Sequence, residues 1–175
     1  MHRIIIYKHS GKIPEEVMSS ENLEEKVWTP KWNKLKPIYY PKKYYIYWIF
    51  HYLNIFHNKN YQAFQLYQNN TLVSSLLLVP SYYRWPFMQK NDVQLTYVVT
   101  MKNHRGKGMA FLNILFCLKS LSKSKIGAIW YVTDSDNIAS ISLAEKAGFI
   151  KQGYGLKKKY FTGYTKLWLN NNEIF

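Results

Sequence analysis

The sequence predicts an α/β protein, an α+β arrangement in which helices flank a mixed sheet. Three observations carry that expectation. Over residues 98–110, V-V-T-M-K-N-H-R-G-K-G-M-A, an apolar β-branched run gives way to a glycine-spaced turn and then to helical spacing at Phe111, Ile114, Leu115 and Leu118. Residues 61–67 and 71–79 are two strand-like runs separated by Gln68-Asn69-Asn70, whose asparagines tolerate positive φ, so they form a hairpin. Towards the end of the chain, helical and strand-like patterns alternate.

Taken in order, residues 3–7 read as a first strand and 14–28 as an acidic helix. Pro30, Pro37 and Pro41 make 29–43 an extended surface loop, because proline removes a donor and breaks regular structure. In and just before that stretch Lys26, Lys31, Lys34, Lys36, Lys42 and Lys43 stand among Trp32, Tyr39 and Tyr40, a mixture open to surface packing, a pocket for a sugar nucleotide, or nucleic acid. Residues 44–56 place Tyr45, Trp48, Ile49, Tyr52, Leu53 and Phe56 on one helix face, which predicts a buried helix. His51 and His57 do not share a face, which argues against a metal site.

Pro80 ends the second hairpin strand, and the loop that follows carries Tyr82, Tyr83, Arg84 and Trp85. Loops at sheet ends hold recognition residues, so these four are the expected acceptor contacts. A strand over 92–100 leads through the glycine turn to a helix over 108–122 and a strand over 128–133. The next helix takes its N-cap from among Thr133, Asp134, Ser135 and Asp136 and stops at Gly148. Residues 154–161 and 165–169 form a last strand pair with Gly163 in the turn.

A chain of 175 residues is one domain, long enough to bury its own core. No apolar run reaches the ~18 residues of a membrane span, and the start lacks a signal-peptide core, so the expected location is cytoplasmic. The lone cysteine, Cys117, excludes an internal disulfide and falls inside a helix as a core residue. The charge is +14, from 24 bases and 10 acids. Five of those acids, Glu15, Glu16, Glu21, Glu24 and Glu25, precede residue 26, so the remainder is more basic still and attracts anions without naming one. Only three of the bases are arginines, and one, Arg105, sits in the glycine turn.

Gly106 and Gly108 leave that turn bare, so its N–H groups can close on a phosphate held at a helix N-terminus. Arg105, Gly108 and Ala110 match the R/Q-x-x-G-x-G/A signature, and residues 137–149, N-I-A-S-I-S-L-A-E-K-A-G-F, match N-x-x-S/A-x-x-x-x-E-K-x-G-F. With these two blocks, spread over its C-terminal half, the chain resembles the GNAT superfamily of acyl-CoA-dependent N-acetyltransferases.

The resemblance implies the GNAT fold, with a mostly antiparallel central sheet, and an acetyl-CoA donor bound without a metal. It makes residues 91–175 the acetyl-CoA part and 1–90 the substrate side of a single 1–175 domain. The coenzyme's pyrophosphate would lie on the backbone of Arg105, Gly106, Lys107, Gly108, Met109 and Ala110, and its pantetheine along Val98, Val99 and Thr100, with Asn137 and Ser140 beside it. The acceptor expected is a small-molecule amine, first an amino sugar or sugar nucleotide, because an aromatic, basic N-terminal half suits a pyranose ring attached to phosphates; a protein N-terminus or lysine, an aminoglycoside and a polyamine stay open. Membrane insertion is not expected, nor is nucleic acid as the main partner, and monomer and homodimer both remain open. Many relatives carry a catalytic tyrosine where this chain has Ala144, so Tyr131 or Ser140 becomes the alternative acid and Asp92 a candidate base. An inactive CoA-binding module and a basic nucleic-acid-associated protein are the competing readings.

Overall fold

Strand-forming runs dominate the chain, and the computed structural model, which describes residues 2–14, 22–33, 45–157, 164–170 and 172–174, collects them into one sheet. The described strands are β1 (His2–His9), β2 (Leu23–Trp28), β3 (Gln62–Gln68), β4 (Thr71–Pro80), β5 (Val93–Thr100), β6 (Ile129–Asp134), β7 (Phe149–Lys157), β8 (Tyr164–Leu169) and β9 (Asn172–Glu173). The helices are α1 (Tyr45–Tyr52), α2 (Met109–Leu121) and α3 (Ile138–Lys146). The sheet order is β2-β3-β4-β5-β6-β1-β7-β8-β9. All neighbours are antiparallel except β5 and β6, which α2 connects by the crossover that a parallel pair requires.

Each sheet face buries its own cluster. On one, Phe64, Leu76, Leu95 and Tyr131 pack against Ile114, Leu115 and Leu118 of α2 and Ala144 of α3. On the other, Ile6, Leu77, Val79 and Trp130 pack with Tyr47 of α1 and with Tyr82, Trp85 and Phe87 of the loop after β4. Cys117 is fully buried in the first cluster, where desolvation pushes its thiol up and keeps it unreactive.

The hairpin forms as expected, with Asn69 and Asn70 at φ 49° and 59°. Four expectations are corrected. Residues 23–28 form an edge strand on β3 rather than the end of an acidic helix, because pairing with β3 overrides local preference. Its charged Glu24, Glu25 and Lys26 suit an exposed edge. Helix α1 stops four residues early: Asn54 adopts φ 55°, and Ile55 N–H reaches Phe50 C=O at 2.9 Å, a Schellman ending. Its buried side is Tyr47, while Tyr45, Ile49 and Leu53 are exposed, since a helix apolar all round does not reveal its inner face. The cap of α3 is Asn137, whose Oδ1 accepts from Ser140 N–H at 3.1 Å. Finally, β7 starts at Phe149, immediately after Gly148, since it pairs with β1 along its whole length.

Trp32 rests its ring on Trp48 and Tyr52 of α1, while the rest of the predicted basic and aromatic loop, residues 34–43, lies outside the described residues, as does Gly163. No helix among the described residues is long and apolar enough to cross a membrane.

One hydrogen bond ties the first strand to the last helix: Tyr7 O–H donates to Glu145 Oε1 at 3.0 Å. Burial first, then the carboxylate, push this hydroxyl up to about 12. The unfolded phenol ionises near 10, so the bond's stabilisation is complete below that pH and fades between about 10 and 12. Tyr7→Phe should therefore cost about 1 kcal/mol in urea unfolding at pH 7. A wild-type advantage that persists undiminished at pH 12 would contradict this.

Candidate active site

Strand pairing between β5 and β6 lasts three residues: Val93 with Ile129, Gln94 with Trp130 and Leu95 with Tyr131. On its other side β5 stays paired with β4, but Leu77 faces Thr96 while Ser75 faces Val99, so β5 carries one extra residue there. That residue makes a β-bulge, and Tyr97 in it takes φ 51°. A left-handed tyrosine costs roughly 1–2 kcal/mol, which the paired strands around it must offset. The bulge bends the end of β5 away from β6, and the two strands part in a V whose facing edges no strand among the described residues covers.

Two cavities open into the V, one of about 300 Å³ and one of about 600 Å³. Val98, Tyr131, Asn137 and Ser140 line both, so the two meet there.

The larger cavity runs between the glycine turn, α2 and α3. Gly106 and Gly108 both have φ 74°, and a Cβ on either would meet nothing within 4 Å, so open space lies above both. The first helical bond of α2 is Leu112 N–H to Gly108 C=O at 3.1 Å. The N–H groups of Met109, Ala110 and Phe111 therefore point past the helix end, where the helix dipole is positive. His104, Arg105 and Lys146 line this cavity, with no carboxylate among the described residues. Arg105 also braces the turn, its Nε donating to Thr100 C=O at 3.3 Å.

Of the residues predicted for the coenzyme, Val98, Thr100, Arg105, Gly106 and Gly108 line this cavity, as do Met109, Ala110, Asn137 and Ser140. Val99 and Lys107 are not among the residues that line it. Val99 turns to β4, pairing with Ser75 and accepting from Ser74 Oγ at 3.1 Å, and Lys107 is an exposed turn residue.

The smaller cavity lies on the α1 side of the sheet. Arg84 and Trp85 line it, while Tyr82 and Tyr83 do not. Tyr82 is a core residue at 4% exposure, and Tyr83 stands in solvent at 75%. Trp85 is fixed by its Nε1–H donating to Gln94 Oε1 at 2.7 Å, and the Arg84 guanidinium lies 5.3 Å from its ring centroid. Tyr47 and Tyr97 also line this space, and the Tyr47 ring packs against the rings of Tyr82 and Tyr97 at 6.3 and 6.1 Å between centroids. Desolvation holds Tyr47 far above the ordinary phenol value, so it stays neutral.

Asp92 is corrected too. It is buried at the far end of β5, outside both cavities. Its Oδ1 accepts from Ala128 N–H at 2.8 Å, and its Oδ2 accepts from Gln89 N–H and from Trp130 Nε1–H, each at 2.8 Å. A carboxylate so fully engaged clamps the 81–91 loop to β6 and is no base for a substrate.

At the meeting point of the cavities the Tyr131 hydroxyl and Ser140 Oγ are 2.7 Å apart. Burial raises the Tyr131 pKa, with the Ser140 bond opposing it, so the phenol stays protonated in neutral water. Ala144 has no exposed surface and belongs to the same buried cluster as Tyr131. Gln94, Tyr97, Asp134 and Lys146 are lining residues that the sequence does not single out for the site: Gln94 and Tyr97 belong to no motif, Asp134 reads as a cap, and Lys146 belongs to the 137–149 block without a predicted contact. No group of three or more His, Cys, Asp or Glu among the described residues is placed to hold a metal ion.

Comparison with known proteins bears on this geometry. Solved structures similar to the chain include a GNAT-family acetyltransferase from Novosphingobium aromaticivorans (TM-score 0.53, 12% identity, 87% of this chain and 61% of that one). Others are a GNAT-family acetyltransferase from Colwellia psychrerythraea (0.53, 17%, 86% and 53%) and a GCN5-related N-acetyltransferase-like protein from Streptococcus suis (0.52, 14%, 87% and 58%). At such identities they speak for the fold, and this chain spans half to three fifths of their length. No curated protein matches. The family model for the acetyltransferase (GNAT) family, however, matches residues 23–149, which take in the parting strands, the glycine turn and both helices beside it. The chain belongs to the GNAT acetyltransferase family.

Proposed function

We propose that the protein transfers an acetyl group from acetyl-CoA to the primary amine of a small molecule, by direct attack in a ternary complex. The observation that carries this reading is the meeting of two unlike cavities at the Tyr131–Ser140 pair. One is basic and ends on free helix N–H groups, a setting for a pyrophosphate. The other is smaller and polar, with room for an acceptor.

In this reading the coenzyme's diphosphate lies on the turn from Arg105 to Ala110. Its pantetheine follows the main chain around Val98, and Asn137 offers the amide nitrogen that its cap bond leaves over. The amine nitrogen attacks the thioester carbon, a C–N bond forms and the C–S bond breaks. One amine proton leaves and the thiolate gains one, with the Tyr131 hydroxyl as its donor and Ser140 holding that hydroxyl in place. Tyrosine at position 144 would have to enter a closed core, so here the strand supplies the phenol that relatives place on the helix. A cavity of about 300 Å³ sits at the low end of small-molecule pockets, roughly 300–1,000 Å³, which suits a single-ring amino sugar and leaves little room for a nucleotide. In this reading the expected compartment is the cytoplasm.

A melting experiment with CoA tests the first half. Ligand at 100 times its Kd should add roughly 2.7 kcal/mol of stability. No shift would end this reading and leave a basic nucleic-acid-associated protein. A shift without thiol release from acetyl-CoA, across a panel of amines, would leave a CoA-binding module.

A further inference from the structure

The two cavities differ in charge, and the difference runs against the composition. Bases outnumber acids 24 to 10 in the chain, and the larger cavity follows that excess with Arg105 and Lys146 and, among the described residues, no carboxylate. The smaller cavity is balanced: among the described residues, Arg84 is its one cationic side chain and Asp134 its one carboxylate.

Neither charge is there by lack of alternatives. Only five acids follow residue 25, and three of them are engaged elsewhere: Asp92 in its clamp, Glu145 with Tyr7 and Glu173 with Lys166. The Asp134 C=O accepts from Asn137 N–H at 3.1 Å, but its carboxylate has no hydrogen-bond or ion-pair partner among the described residues. It stands on β6 three positions after Tyr131 and lines the smaller cavity. Arg84 is one of three arginines in the chain, and it is held against Trp85, itself 4% exposed and pinned to Gln94. A guanidinium mounted on a buried ring loses little freedom when it binds an anion. Tyr47 and Gln94 complete a polar, largely neutral wall between them.

We infer that the acceptor is a small dipolar amine, carrying an anionic group that Arg84 reads while Asp134 draws its ammonium end toward the thioester. This rests on the acetyltransferase reading above. Asp134 attracts the charged amine, which must then lose a proton to solvent before attack. Carboxylate and phosphate share the chemistry that Arg84 recognises. Amino acids and 2-amino-sugar phosphates are thus the two sources to separate.

The test uses the full chain and matched acceptors: amino acids against their amides, a 2-amino sugar phosphate against the free 2-amino sugar, and simple alkylamines. The readout is kcat/KM from thiol release. In wild type the anionic member of at least one pair should exceed its neutral partner tenfold or more, and the pair that does so names the anion. Arg84→Gln should bring that ratio close to one with the KM for acetyl-CoA unchanged, and Arg84→Lys should restore part of it. Asp134→Asn should raise the acceptor KM for both members. Equal rates for both members of every pair in wild type would overturn the inference and leave the acetyltransferase reading standing. So would an Arg84→Gln loss shared equally by both members. Failure of every amine would end both.

Discussion

Gly108→Leu should weaken CoA binding on the order of a hundredfold or more while the protein keeps its fold. Gly108 caps α2 at φ 74° with open space where a Cβ would go, so the backbone itself accommodates the added side chain. The only intrinsic cost is the left-handed conformation, about 1–2 kcal/mol for any L side chain. What a leucine takes away is the approach to the free N–H groups of Met109, Ala110 and Phe111. Charge-assisted hydrogen bonds of this kind contribute about 1.5–3 kcal/mol each, and 1.4 kcal/mol is a factor of ten. Losing two gives the expected effect. Gly108→Ala separates the causes, since it carries the same strain with a methyl group alone. If alanine and leucine weaken CoA equally, strain in the turn rather than occlusion of a phosphate accounts for the loss. The check is calorimetric titration with CoA, beside a helix signal from circular dichroism.

Tyr131→Phe should lower kcat by about 10²- to 10⁴-fold, the range for loss of a positioned proton donor, with little change in the KM for acetyl-CoA. The ring is buried at 4% exposure, and phenylalanine keeps its packing against Phe149. The altered atom is the hydroxyl 2.7 Å from Ser140 Oγ. Ser140→Ala should cost less, because it frees the phenol without removing it. The pH profile carries an independent sign. Burial raises the Tyr131 pKa above its ordinary value near 10, so the donor form persists through the neutral range. Wild-type kcat/KM should then rise with pH as the acceptor amine loses its proton, and should not fall again below pH about 10. A descending limb near neutrality would assign the acid to another group, and an unchanged kcat in Tyr131→Phe would remove the tyrosine outright.

Both predictions concern residues that the sequence made visible to different degrees. The glycine turn was legible because its chemistry is local: two residues without side chains, an arginine and the start of a helical period lie within a few positions. The order of strands and helices was legible for the same reason, since periodicity reports which face of an element is apolar. Helix α1 shows the limit, because an apolar residue on every side leaves the period silent about which face goes in, and only packing against β1, β4 and the 81–91 loop chose Tyr47. The acidic stretch ending at Trp28 shows another, since an edge strand depends on a partner almost forty residues away in sequence.

By itself, then, the sequence determined the class of fold, the side-chain-free turn at Gly106 and Gly108, and an excess of positive charge. These follow from the chemistry of adjacent residues, which the chain carries whether or not it is folded. Tertiary structure decided where the V opens, because the bulge at Tyr97 exists only once β5 is in register with β4. It also placed Asp92 in a clamp instead of a cleft, brought Tyr131 to Ser140, and set Arg84 and Asp134 around one small cavity. Those meetings join residues from separate strands, helices and loops, and no spacing along a chain encodes the distance between two elements until the sheet between them has formed.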